Sequence, residues 1–166
     1  MTDIFDTEKR SDIMSRIRST NTRPEILVRK LLFASGFRYR LYPKKLPGKP
    51  DLVLPKWKTV VMVNGCFWHS HEGCSRHTIP SQNRDFWVAK LNRNKARDAE
   101  VRRLLMDQGW RVLVIWECAC KKSLMTTLQK SMEVFIRSES EQYLELGSSD
   151  LQAPTTADAG ISDGPT

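Results

Sequence analysis

Residues 59–74 read Thr59-Val60-Val61-Met62-Val63-Asn64-Gly65-Cys66-Phe67-Trp68-His69-Ser70-His71-Glu72-Gly73-Cys74. The first five are β-branched or apolar and carry no charge, the composition of a strand buried in a sheet. The next eleven hold two thiols, two imidazoles and a pair of adjacent large aromatics. A buried strand that delivers such a loop combines most of a metal site, a bulky apolar wedge and a proton-transfer group. That combination points to chemistry on a stacked substrate.

Outward from this strand, two more short apolar runs read as strands. Asp51-Leu52-Val53-Leu54 follows the turn Leu46-Pro47-Gly48-Lys49-Pro50, and Val112-Leu113-Val114-Ile115 lies within Trp110 to Glu117. Phe37 to Tyr42 alternates apolar and basic residues, as a strand does. Helical spacing predicts one helix from Thr22-Arg23-Pro24-Glu25 to Gly36, with Thr22 as cap and Pro24 in the first turn. A second runs from Phe86 to Gln108 and closes at Gly109, and a third runs from Leu124 to Ile136. The order implies an α/β fold with a mixed central sheet flanked by helices. Glu8 to Ile17 is basic with Ile13, Met14 and Ile17 at helical spacing, and residues 1–20 read as a helix or arm.

At 166 residues, with 40% hydrophobic and 28% charged residues, the chain suits one domain with a real core. No apolar run is long enough for a membrane span and no leader is read at the N-terminus. Net charge is +8, but all 27 Lys and Arg precede Ser138 while six of the 19 acids follow Arg137, so residues 1–137 carry +14. Such a basic region is the footprint of a phosphate-backbone binder, although a solvated surface has the same composition. Residues 138–166 form an acidic, Ser- and Thr-rich tail that reads as disordered.

Cys66-x4-His71-x2-Cys74 with the distant Cys118 offers three sulfurs and a nitrogen, a set that suits a closed tetrahedral zinc site. Buried free thiols give the same pattern. His69 and His77 are rival nitrogens, and Cys120 is a rival sulfur. Asp51, beside a strand end, can hold Mg²⁺ against a phosphate, His69 can move a proton and Glu25 can orient water. Asp51 can equally shape a turn, and Glu25 can be a helix-dipole partner. Phe67-Trp68 and Phe86-Trp87 are two aromatic pairs that can enter between base steps or pack in the core. Lys90, Asn92, Arg93, Asn94, Lys95 and Arg97 then supply groups for phosphates and base edges, or a solvated face.

Taken in order, Arg10-Ser11-x-x-Met14, Glu25, Leu46-Pro47-Gly48-Lys49-Pro50-Asp51, Gly65-Cys66-Phe67-Trp68-His69, Phe86-Trp87-x-x-Lys90, Asn94, Gly109-Trp110-Arg111-Val112-Leu113 and Trp116-Glu117-Cys118 resemble the very short patch repair (Vsr-type) DNA mismatch endonucleases. The resemblance spans roughly residues 7–118. It implies a restriction-endonuclease-like fold with structural zinc, and a nick 5′ to the thymine of a T·G mismatch left by deamination of 5-methylcytosine. It also implies that Asp51 and the Val63 carbonyl hold Mg²⁺, that His69 is the acid–base group and that Glu25 assists. Cys66, His71, Cys74 and Cys118 would bind zinc. Phe67, Trp68 and Trp87 would intercalate with Met14 near the opposite face, and Lys90 and Asn94 would meet the wobble pair. The implied setting is a monomer in the bacterial cytoplasm at the nucleoid, with a cytosine-5 methyltransferase and mismatch-repair proteins as functional companions and no membrane partner.

Two departures bear on the site. Asn64 stands where better-known members carry a second active-site histidine, and Val63 replaces a small polar residue. Asn64 can bond a phosphate oxygen but takes up no proton near neutral pH. The loop to Cys74 is one residue longer. Two other functions fit parts of the pattern: a non-catalytic zinc protein that binds mismatched DNA, and a restriction-type nuclease that cuts intact duplex.

Overall fold

The computed structural model describes residues 19–152. The proposed N-terminal arm up to Arg18, Met14 included, and the chain after Gln152 lie outside that range.

Helix α1, Arg23–Ala34, starts where the sequence places it: the Thr22 hydroxyl accepts the Glu25 N–H, and Pro24 sits in the first turn, where its missing N–H costs nothing. Five strands follow, interrupted by two helices: β1 Arg40–Leu41, β2 Leu52–Leu54, β3 Thr59–Asn64, α2 Arg84–Asp107, β4 Arg111–Trp116, α3 Met125–Ser138 and β5 Tyr143–Leu146. They form one sheet in the order β1-β2-β3-β4-β5. The pairs β1–β2 and β2–β3 are antiparallel, while β3–β4 and β4–β5 are parallel, so the sheet is mixed as expected.

Side chains alternate across the strands and divide the core in two. Leu52, Leu54, Val61, Leu113 and Ile115 face α1 and α3, meeting Val28, Leu32, Leu128, Met132 and Ile136. Val53, Val60, Val112 and Val114 face the other way, toward Leu105 of α2 and toward Cys66 and Cys118. Of the metal-ligand candidates, Cys66 and Cys118 therefore belong to the second core layer, and Cys74 packs against it.

Two expectations change. The predicted strand over Phe37 to Tyr42 shrinks to Arg40–Leu41, because Phe37 is buried edge-on against Trp57 and Tyr42 turns to a φ of 45°. The segment read as disordered from Ser138 folds through at least its first half. Tyr143–Leu146 pairs with Val112–Ile115. Buried Arg111 fixes the approach: its guanidinium donates to the carbonyls of Phe135, Ile136 and Glu141 and stacks 4.3 Å from the Phe135 ring. One cation thus satisfies the end of α3 and bends the chain back to the sheet.

Candidate active site and metal centre

The loop from Leu46 to Pro50 sets Asp51. Gly48 has a φ of 68°, and a Cβ on it would fall 2.2 Å from Val101 Cγ1 of α2. The loop therefore sits on α2 at the closest approach that a residue without a side chain permits. Gly48→Ala is expected to destabilise the fold by about 2 kcal/mol and to displace Asp51, with Val101→Ala recovering part of the loss. Urea unfolding of the single and double variants measures both effects.

Asp51 Oδ2 accepts the Val63 N–H at 2.7 Å, while the Asp51 carbonyl accepts the Tyr42 N–H at 3.1 Å. The carboxylate is thereby pinned between β3 and the end of β1. Its pKa is pushed up to about 6, first by burial. The Val63 N–H bond opposes this; Glu25 raises it further, and Arg29 and His69 lower it. A half-buried carboxylate beside a second carboxylate is a poor place for more negative charge and a good one for a cation.

Asp51, Glu25, Asn64, Val63 and His69 line one cleft of about 670 Å³, with Trp68 and Asp98 at its wall. No spacing along the chain joins these residues; β2, β3, α1 and α2 converge to do it. Glu25 is 3% exposed. Its carboxylate accepts from the Thr22 hydroxyl, the Asn21 N–H, Arg29 and the Tyr42 hydroxyl, at 2.9, 3.0, 3.1 and 2.7 Å. It is therefore both the cap partner of α1 and a fixed negative charge in the cleft.

His69 stands on the turn after β3, its N–H bonded to the Gly65 carbonyl at 3.1 Å. Its Nδ1 meets Asp98 Oδ2 of α2 at 2.5 Å. This carboxylate–imidazole pair orients the ring and leaves Nε2 for proton transfer. Asp98 is a residue that sequence reasoning missed. It lies 29 positions from His69 within a mixed-charge helix face, and no local pattern singles it out.

The aromatic residues cluster. Phe67 meets Trp68 and Trp87 edge-on at 5.1 and 5.5 Å, and Trp87 meets Phe86 at 5.4 Å. Trp87 is 8% exposed whereas Phe86 is 55% exposed, so packing takes Trp87 and presents its neighbour. Lys90 Nζ lies 5.3 Å from the Trp68 ring and 5.4 Å from that of Trp87, a cation–π setting. The Asn94 amide donates to the Trp68 carbonyl at 3.0 Å, tying the aromatic loop to α2.

Ligand atoms of Cys66, His71, Cys74 and Cys118 all lie within 4.8 Å of one another. His71 Nδ1 is 3.4 Å from Cys118 Sγ, so this nitrogen is the one turned to the sulfurs. Three sulfurs and one imidazole at that spacing fit a four-coordinate ion with no open position, the arrangement of a structural site. Neither His77 nor Cys120 belongs to the cluster. Burial pushes the Cys66 thiol up to about 12, with the neighbouring sulfurs contributing, so a bound cation must drive its deprotonation.

Comparison with known proteins places the chain among DNA nicking and mismatch endonucleases. The family model described as DNA mismatch endonuclease Vsr matches residues 2–76. The type II nicking enzyme V.NmeAIP of Neisseria meningitidis serogroup A is 51% identical over 121 residues, covering 73% of this chain and 86% of that one. V.XorIIP of Xanthomonas oryzae pv. oryzae is 47% identical over 118 residues, 71% and 86% of the two chains. The DNA mismatch endonuclease Vsr of Escherichia coli K12 is 36% identical over 121 residues, 73% and 77%.

Proposed function

The chain belongs to the Vsr family of DNA mismatch endonucleases and is a DNA-cleaving hydrolase, and we propose that it nicks one strand 5′ to the thymine of a T·G mismatch, with Mg²⁺ at the cleft and zinc in the sulfur cluster. The observation that carries this reading is the single cleft shared by half-buried Asp51 and by His69, whose ring is braced by Asp98.

Asp51 and the Val63 carbonyl would hold Mg²⁺, whose contribution is to neutralise charge on the scissile phosphate. The negative charge of Glu25 beside Asp51 supports a cation there. His69 Nε2 moves the proton that phosphodiester hydrolysis requires, with Asp98 stabilising the imidazolium that forms. Asn64 lines the same cleft and offers its amide to a phosphate oxygen. With a single imidazole in place of two, the proton work rests on His69.

Phe67 and Trp68 would enter beside the mismatch, backed by the buried Trp87, with Lys90 and Asn94 close to the wobble pair and Met14 on the far side. A T·G pair is displaced from Watson–Crick geometry, so its edges and its easier unstacking both distinguish it. Zinc would brace the loop that carries this wedge. The source of such mismatches makes a cytosine-5 methyltransferase the natural companion.

The test is a duplex labelled on either strand and incubated with enzyme and Mg²⁺. The expected product is one nick, on the thymine strand, 5′ to the mispaired base. Intact T·G substrate at excess enzyme, or both strands cut in a fully paired duplex, would overturn the reading. His69→Ala is expected to slow nicking by roughly 10²–10⁴-fold in single-turnover kinetics, the range of general acid–base catalysis.

A further inference from the structure

Among the described residues, those after Cys118 contribute no ligand atom to the sulfur cluster, yet β5 and the turn behind it press on two of the four ligands. A Cβ at Gly147 would fall 2.8 Å from His71 Cε1 and 3.0 Å from Nε2. The backbone there does not adopt positive φ, so space, not conformation, requires the glycine. The next residue, Ser148, directs its N–H to Cys118 Sγ at 3.2 Å. The Asp150 carboxylate accepts the Gly147 N–H at 2.7 Å and ties the turn together. From the sheet, Trp116 stacks on the His71 ring at 4.2 Å and 4°, and its indole N–H donates to Glu145 of β5 at 3.1 Å. The ring of His71 is thus set by β4 and β5 together.

We infer that residues 145–150 act as a clamp on the metal centre: Gly147 fixes the His71 ring, the Ser148 N–H holds the Cys118 sulfur, and retention of zinc is coupled to docking of β5. The inference rests on reading Cys66, His71, Cys74 and Cys118 as a zinc site. Its physical basis is that ligands must be correctly aimed, and the groups behind them hold that aim. A backbone N–H on Cys118 Sγ fixes where that sulfur sits and which way it faces. A side chain at position 147 meets the imidazole first and Asp150 Oδ2 next, at 3.2 Å, and rotating the ring to make room moves Nδ1 off the ion. The clamp also reaches the chemistry, because Glu145 and Asp150 line a second cleft with His69 and Asp98.

The experiment uses the full chain loaded with zinc and follows transfer of the metal to a chromogenic chelator. Wild type is expected to hold one zinc per chain. Gly147→Ala and Ser148→Pro, which act on different ligands, are each expected to weaken zinc binding by about 10–100-fold. Ser148→Ala keeps the backbone N–H and is expected to match wild type. Wild type without zinc overturns the zinc site itself. Wild type with zinc, but with both variants releasing it no faster, overturns the clamp alone. Circular dichroism in excess zinc decides for a variant that loses its fold: recovery on adding metal supports the coupling, and failure to recover overturns it.

Discussion

Asp51→Ala is expected to reduce strand cleavage by roughly 10³-fold or more while mismatch binding stays within a few-fold of wild type. The size follows from the several kcal/mol of charge stabilisation that a carboxylate-held cation supplies at a phosphoryl centre. Binding is spared because the wedge that enters the duplex is the aromatic cluster of Phe67, Trp68 and Trp87, whereas the Asp51 carboxylate is tied to the Val63 N–H. Single-turnover cleavage of a labelled duplex and anisotropy on the same duplex separate the two effects. A variant that cuts within ten-fold of wild type would remove Asp51 from the chemistry. The same residue gives a stability signature. Its folded pKa of about 6 lies above the ordinary 3.8, so the folded state holds the proton more tightly than the unfolded state. Stability is therefore lost as pH rises from about 4 to about 6, by about 3 kcal/mol in total, and regained on acidification. The zinc-loaded chain without added Mg²⁺ is the right sample. Asp51→Asn should flatten that part of the urea-midpoint profile and be the more stable protein at pH 7.

Removal of the zinc proposed for the sulfur cluster is expected to cost on the order of 10 kcal/mol, as much as the whole net stability of an ordinary domain. The sulfurs explain the scale. Cys66 and Cys118 are 0% and 1% exposed and pack with Val53, Val60 and Leu105. An empty cluster would leave polarised groups inside the second core layer with no ion to satisfy them. Cys118→Ser should behave as the stripped protein does. Thermal unfolding followed by circular dichroism, with and without a strong chelator, checks this; an unchanged midpoint after the metal has been stripped would contradict it.

Much of this was legible in the chain. Thr59 to Val63 and Val112 to Ile115 declare themselves because a strand covered on both faces needs an unbroken apolar run. Thr22-x-x-Glu25 declares the start of α1 because the cap is local. The metal-ligand set was legible as a set because three of its members share one short loop. What stayed hidden depends on contacts between distant segments. Asp98 finds His69 only when α2 lies across β3. Tyr143 to Leu146 does alternate, but its acidic, Ser-rich surroundings masked a strand whose stability comes from β4 and Arg111. Trp87 and Phe86 are adjacent with the same composition, and only the packing of α2 assigns one inward and the other outward.

The sheet order has a consequence for behaviour at high concentration. One margin is the two-residue β1, both of whose residues are exposed and one of which is Arg40, and the other is the four-residue β5 bearing Glu145. Short, charged margins offer a foreign strand few backbone groups to add to, which protects against fibril-like stacking. Crowded on one duplex, several copies of this chain have little means of joining sheet to sheet.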